Sequence, residues 1–218
     1  MQSTIIEFLL LAPPILLAIT IHEYSHGLVA DRLGDPTARM AGRLTLNPLA
    51  HLDPIGTLMF FLIHMGWAKP VPVDARYLQN PKKDMIWISL AGPGSNMLMA
   101  LAVGIIIRSL NINLYGISTE SISGMFKFML LYLLIINLVL AGFNLIPLPP
   151  LDGSKILMGL LPLEVAYRFS QLERYGPFIL IGLILLDSYF HIHTITLFIG
   201  PFVNLFTLLF TGFNIRAF

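Results

Sequence analysis

The sequence predicts an α-helical polytopic membrane protein: about five transmembrane helices, a re-entrant or interfacial segment, and short β-strands near a functional site. Three observations lead there. Of 218 residues, 56% are hydrophobic and 11% are charged, where soluble domains run nearer about a quarter charged; the mean hydropathy is +0.79. The apolar residues fall in runs, several long enough for the roughly 20 residues that a bilayer core demands. The basic residues gather on one side of those runs. Such a chain has too few charges to cover a water-facing surface, which excludes a soluble globular protein and a disordered chain. It gives no footing for a nucleic-acid partner; the expected surroundings are the lipid bilayer. The length leads us to expect one membrane-embedded domain over 1–218, without an appended soluble domain.

The first apolar run, about 5–30, lacks a basic leading region and a small-residue cleavage site, and it carries His22, Glu23 and His26. A signal peptide is therefore not expected. Further runs cover about 53–67, 85–108, 125–146, 177–190 and 195–213. The stretch 54–66 has only 13 residues, nearer a re-entrant or interfacial piece than a full span.

Charge placement bears on that segment. Seven Lys/Arg lie in 31–84 (Arg32, Arg39, Arg43, Lys69, Arg76, Lys82, Lys83), three more in 147–176 (Lys155, Arg168, Arg174), and Arg216 follows. Arg108 and Lys127 flank the opposite loop. If 53–66 does not cross, eleven of the thirteen basic residues share one face. If it crosses, the asymmetry collapses. The positive-inside rule favours the first arrangement, with the N-terminus outside and the basic face cytoplasmic. Between these runs, 42–48 (GRLTLNP) alternates polar and apolar residues, and 67–74 (WAKPVPVD) is proline-punctuated. Both read as short edge strands or loops at the cytoplasmic mouth. Segment 163–175, of mixed polarity, reads as a helix lying at the interface.

The chemistry sits in the first run. His22-Glu23-Tyr24-Ser25-His26 places two imidazoles one helical turn apart on one face, where both can bind one ion. Glu23 lies about 60° from His26 around the helix, close enough to reach a metal-bound water without being a ligand. Ionisable groups in an apolar span are costly unless paired, so the cluster is read as functional rather than as a hydrogen-bonded helix pin. Catalytic zinc takes three protein ligands and leaves a position for water. With no cysteine, the third ligand comes from His51, Asp53, His64 or Asp152. Asp152 ends the proline-rich stretch 143–153 (FNLIPLPPLDG), where Pro147, Pro149 and Pro150 stop the preceding helix and Gly153 permits close approach. It could instead cap the following helix. Spacing alone leaves both Asp152 and His51 standing, with Asp152 the stronger.

The sequence resembles the site-2 protease family of intramembrane zinc metalloproteases. Three motifs in order carry the resemblance: the H-E-x-x-H within a span, 92–96 (GPGSN) opening another helix, and 144–153 (NLIPLPPLDG). It covers a catalytic core of about 15–160, leaving the C-terminal helices 177–213 outside it. Segment 42–56 is similar to the compact prokaryotic branch, and neither a PDZ nor a CBS domain is expected. The resemblance implies zinc (Zn2+) held by His22, His26 and Asp152, with Glu23 as the catalytic glutamate. It implies cleavage in or near transmembrane helices of membrane-protein substrates, that is, regulated intramembrane proteolysis at a prokaryotic cell membrane, with the active site toward the cytoplasm.

The tetrahedral oxyanion needs another donor, and Asn96 is the candidate, unless it simply bonds between spans. Residues 92–94 would mark a helix start where backbone approaches a strand-like substrate. His51 orients substrate or stabilises the oxyanion, or else is an interfacial histidine facing water. His64, His191 and His193 read as interface or loop residues, and Glu7, about 22 Å along the helix from His22, is not catalytic. A substrate helix hides its carbonyls and must unwind before attack, so breaker residues and strand addition beside 40–50 or 67–74 are expected. The last two runs are candidates for a lateral gate. A metal transporter or metal-binding membrane protein is the alternative, although it has no need of a glutamate between the histidines. Selectivity would come from the membrane core, from an adaptor protein, or from a homo-oligomer.

Overall fold

The computed structural model describes residues 2–63, 66–114, 117, 119–190 and 194–213, and they are almost entirely helical. Helix α1 (Gln2–Arg32) carries the H-E-x-x-H motif. It ends at Gly34, whose φ of 107° only glycine adopts readily. The single turn α2 (Thr37–Met40) follows, started by Asp35, whose carboxylate accepts the Thr37 amide and hydroxyl. A 3-10 turn (Pro48–His51) is capped by Asn47, and α3 (Pro54–Ile63) by Asp53, which accepts from the Gly56 amide at 2.8 Å.

The two ends of the α3 segment meet. Leu52 and Ala68 form an antiparallel bridge, and the Lys69 amide donates to the His51 carbonyl at 2.9 Å. The chain therefore returns to where it left. Helices α4 (Pro81–Ser109) and α5 (Ile122–Asn144) come next, then α6 (Asp152–Leu160), α7 (Leu163–Ser170), α8 (Gly176–Phe190) and α9 (Thr194–Thr211).

By length and composition, α4 and α5 are able to cross a membrane. The pair Leu163–Arg174 and Gly176–Leu186 would add a third span if it acts as one, although it bends by 62°. Helix α4 is the hub, packed by α1, α5, α6 and α9. Its Ala100, Val103 and Ile107 meet Leu130, Leu134 and Leu138 of α5 and Ile199 and Val203 of α9 in the main core. Many large apolar side chains remain exposed, among them Leu98, Ile105, Phe178 and Leu197, as suits a molecule whose solvent is hydrocarbon.

Two expectations need correction. The strands expected over 42–48 and 67–74 do not form: among the described residues, only the Leu52–Ala68 bridge pairs in that way. Pro48, Pro70 and Pro72 remove the amides that a ladder requires. Residues 92–96 do not open a helix; they lie inside α4, which begins eleven residues earlier at Pro81. In apolar surroundings a continuous helix still satisfies most backbone groups, so Pro93 is carried in its interior. The expectations for His64, His191 and His193 fall outside the described residues.

Candidate active site

Three elements converge on one point. Helix α1 supplies His22 and His26, whose Nε2 atoms are 3.0 Å apart. The start of α6 supplies Asp152, whose Oδ2 lies 3.2 Å from each of them. All three are buried, and together they are the group suited to hold a metal among the described residues. Asp152 does not cap α6, since Leu151 occupies that position. Gly153 brings it here: a Cβ at Gly153 would run into the backbone carbonyls of Leu145 and Ile146 at the end of α5. The chain can fold back this tightly only without a side chain.

The opposite wall is α4. Asn96 Oδ1 lies 2.6 Å from His22 Nδ1, and the Ile88 carbonyl lies 2.6 Å from His26 Nδ1. A carbonyl can only accept, so His26 donates through Nδ1. Asn96 spends its amide hydrogens on the Ala18 carbonyl, at 3.1 Å, and on Asn137 Oδ1, at 2.7 Å. Its Oδ1 is therefore an acceptor, and His22 also donates through Nδ1. With Nδ1 so engaged, each Nε2 is the ring atom turned toward the other histidine and a carboxylate oxygen. At 3.0 to 3.2 Å these three atoms are close enough to share one ion. Gly92 keeps that space open: a Cβ there would collide with His26 Nε2 and stand 2.6 Å from His22 Nε2. The donor set, the fixed tautomers and the cradle all fit a divalent metal that favours nitrogen and oxygen ligands.

Glu23 is adjacent to His22 but bonded elsewhere: its Oε2 accepts the Val71 amide at 2.9 Å. Asn96, expected as an oxyanion donor, has no free amide hydrogen here and acts on His22. His51 is wholly buried, not water-facing; its Nε2 donates to the Thr45 carbonyl at 2.8 Å, and it stands outside the metal group. Asp53 caps α3. Asn137 was missed, although an amide in the middle of an apolar run is itself a signal. The Val71 amide was also missed; it is a backbone group that no side-chain pattern marks.

Two histidines one turn apart, a carboxylate from a distant helix and a glutamate beside the first histidine define a metal-dependent hydrolase centre in a membrane-type helical body. The model described as peptidase family M50 matches residues 10–186. The chain belongs to that family, the site-2 proteases. Among curated proteins, it is 40% identical over 164 residues to the "Putative zinc metalloprotease YwhC" of Bacillus subtilis, covering 74% of each chain. It is 29% identical over 183 residues to the "Putative zinc metalloprotease Rip2" of Mycolicibacterium smegmatis, covering 82% of this chain and 67% of the relative. It is 27% identical over 154 residues to the "Zinc metalloprotease MJ0392" of Methanocaldococcus jannaschii, covering 70% of this chain and 34% of the relative. No solved structure matches the chain significantly.

Proposed function

We propose that this chain is an intramembrane zinc metalloendopeptidase that hydrolyses peptide bonds in or near the transmembrane helices of membrane-protein substrates. The observation that carries this reading is the triad of His22, His26 and Asp152, whose ligand atoms all lie within 4.8 Å of one another, in a chain of the M50 peptidase family. His22, His26 and Asp152 would hold zinc, the metal named in the relatives. When bound, zinc supplies Lewis-acid polarisation of the scissile carbonyl and lowers the pKa of water toward about 7.

The chain's own groups do the rest. Glu23 takes a proton from the attacking water and returns it to the leaving amine nitrogen. The Val71 amide on Oε2 leaves Oε1 free for that exchange. Asn96 and the Ile88 carbonyl hold the two imidazoles with Nε2 turned toward Asp152 Oδ2, where both would serve as ligands. The substrate helix unwinds to expose its carbonyl.

The charges and the packing support a multi-pass membrane arrangement. The 31 residues of α1, together with α4, α5, α8 and α9, would make about five spans. The joined ends of the α3 segment support a re-entrant piece, which leaves the basic residues on the cytoplasmic face with the active site. We read 1–218 as one protease domain with its catalytic core over about 15–160. Lateral access falls to α8, whose packing is chiefly against α9 and the preceding 3-10 turn, whereas α9 is built into the core. A substrate adaptor or a second copy of the chain would supply further selectivity.

The test is reconstitution of the purified chain in proteoliposomes with a single-pass model substrate whose helix contains Gly, Pro or Asn. Cleavage that stops on chelation and returns with zinc is the expected result. Zinc flux across the vesicle without cleavage would replace the peptidase reading with a transporter.

A further inference from the structure

Arg43 is a buried cation, 7% exposed, that takes part in none of the ion pairs among the described residues. Its Nε has no partner. Its Nη2 donates to the Lys69 carbonyl at 2.6 Å, a short charge-assisted bond. Burying an uncompensated guanidinium is costly, and a neutral amide could have met the same carbonyl, so what the bond holds in place matters.

It holds a segment with few other handles. Pro70 and Pro72 have no N–H, so between Ala68 and Val73 only Lys69 and Val71 present amides. The Lys69 amide goes to the His51 carbonyl at 2.9 Å, and the Val71 amide goes to Glu23 Oε2 at 2.9 Å. Further on, the Asp74 amide goes to Asp35 Oδ2 at 2.7 Å. Lys69 is thus gripped at both its amide and its carbonyl, two residues before the amide that holds the glutamate. Val71 also packs against the helix that carries Glu23, its Cγ1 lying 3.2 Å from where a Cβ on Gly27 would stand. Glutamate has three side-chain torsions, and one fixed hydrogen bond removes much of that freedom before the reaction begins.

We propose that Arg43 is a positioning residue for the peptidase reaction: through the Lys69 carbonyl it sets the segment so that the Val71 amide orients Glu23. This rests on the reading of Glu23 as the proton acceptor.

The test uses the full-length, zinc-loaded chain and the single-pass substrate, with kcat, KM and bound zinc measured on each preparation. Arg43→Met lowers kcat by about 10- to 100-fold, with KM and zinc per chain within about twofold of the parent. Arg43→Lys, which can still donate to the Lys69 carbonyl, recovers most of that loss. Val71→Pro removes the amide in a context already extended by its proline neighbours. It lowers kcat similarly, and adding Arg43→Met to it causes less than about a further twofold loss, because both act through one bond. Amide exchange of the 66–74 peptide quickens in Arg43→Met, which is a readout independent of turnover. Additive losses in the double variant, unchanged exchange, or an Arg43→Met chain that cannot load zinc would each overturn the proposal. Cleavage by Glu23→Gln would instead overturn the reading on which it rests.

Discussion

His22 Nδ1 lies 2.6 Å from Asn96 Oδ1, so α4 decides which nitrogen of the first histidine remains for the metal. The arrangement continues to Asn137 on α5 and joins three helices at the site. It predicts that Asn96→Leu weakens zinc binding by about 10- to 100-fold, the usual cost of losing an outer-shell partner. Competition against a chelating dye measures this. A variant with parental zinc affinity but a much reduced kcat would return Asn96 to the role of oxyanion donor.

The two glycines that flank Pro93 behave oppositely. A Cβ at Gly92 enters the space between the imidazoles, whereas one at Gly94 meets nothing within 4 Å. Each Gly→Ala change favours the helix by about 0.5–1 kcal/mol. Gly92→Ala should therefore fold but carry little zinc, and Gly94→Ala should keep its zinc and raise its thermal midpoint slightly. Elemental analysis of the two purified variants makes the comparison.

The third ligand separates in the same way. Asp152→Ala should lose most bound zinc, because it removes one of three converging donors. His51→Ala should keep zinc and lose stability, about 1–3 kcal/mol, because it strips a buried partner from the Thr45 carbonyl. Full zinc in Asp152→Ala would overturn the assignment.

Gly153→Ala tests how Asp152 reaches the site. The added carbon collides with backbone, the Leu145 and Ile146 carbonyls, which cannot swing aside as a side chain can. A destabilisation of about 1–3 kcal/mol, with reduced zinc, is expected. Parental zinc and an unchanged thermal midpoint would show that α6 has room to shift.

Some of this was legible in the sequence and some was not. The apolar runs gave the long helices, because hydrocarbon leaves the backbone few other ways to bond. The four-residue spacing of His22 and His26 fixed two donors by helix geometry alone. Asp152 stood out because prolines end one helix just before it and glycine follows it. Pro93 misled, because helix-breaking chemistry read from water gives way where a broken helix would strand more polar groups. The alternation in 42–48 misled too, because period-two patterns need a partner strand with free amides, and the prolines of 67–74 deny it. Asn96 left its role open because an amide can face either way. Its partners, Ala18 and Asn137, lie 78 and 41 residues distant in sequence, and only the fold selects among them. The Val71 amide has no sequence signature at all.

The most direct measurement is zinc content and substrate cleavage on one preparation of Glu23→Gln. The substitution keeps the side chain's size and leaves His22, His26 and Asp152 untouched. The prediction is parental zinc per chain with cleavage lowered by at least about 100-fold. Cleavage near the parental rate with zinc still bound would contradict the assignment of Glu23, and with it the mechanism.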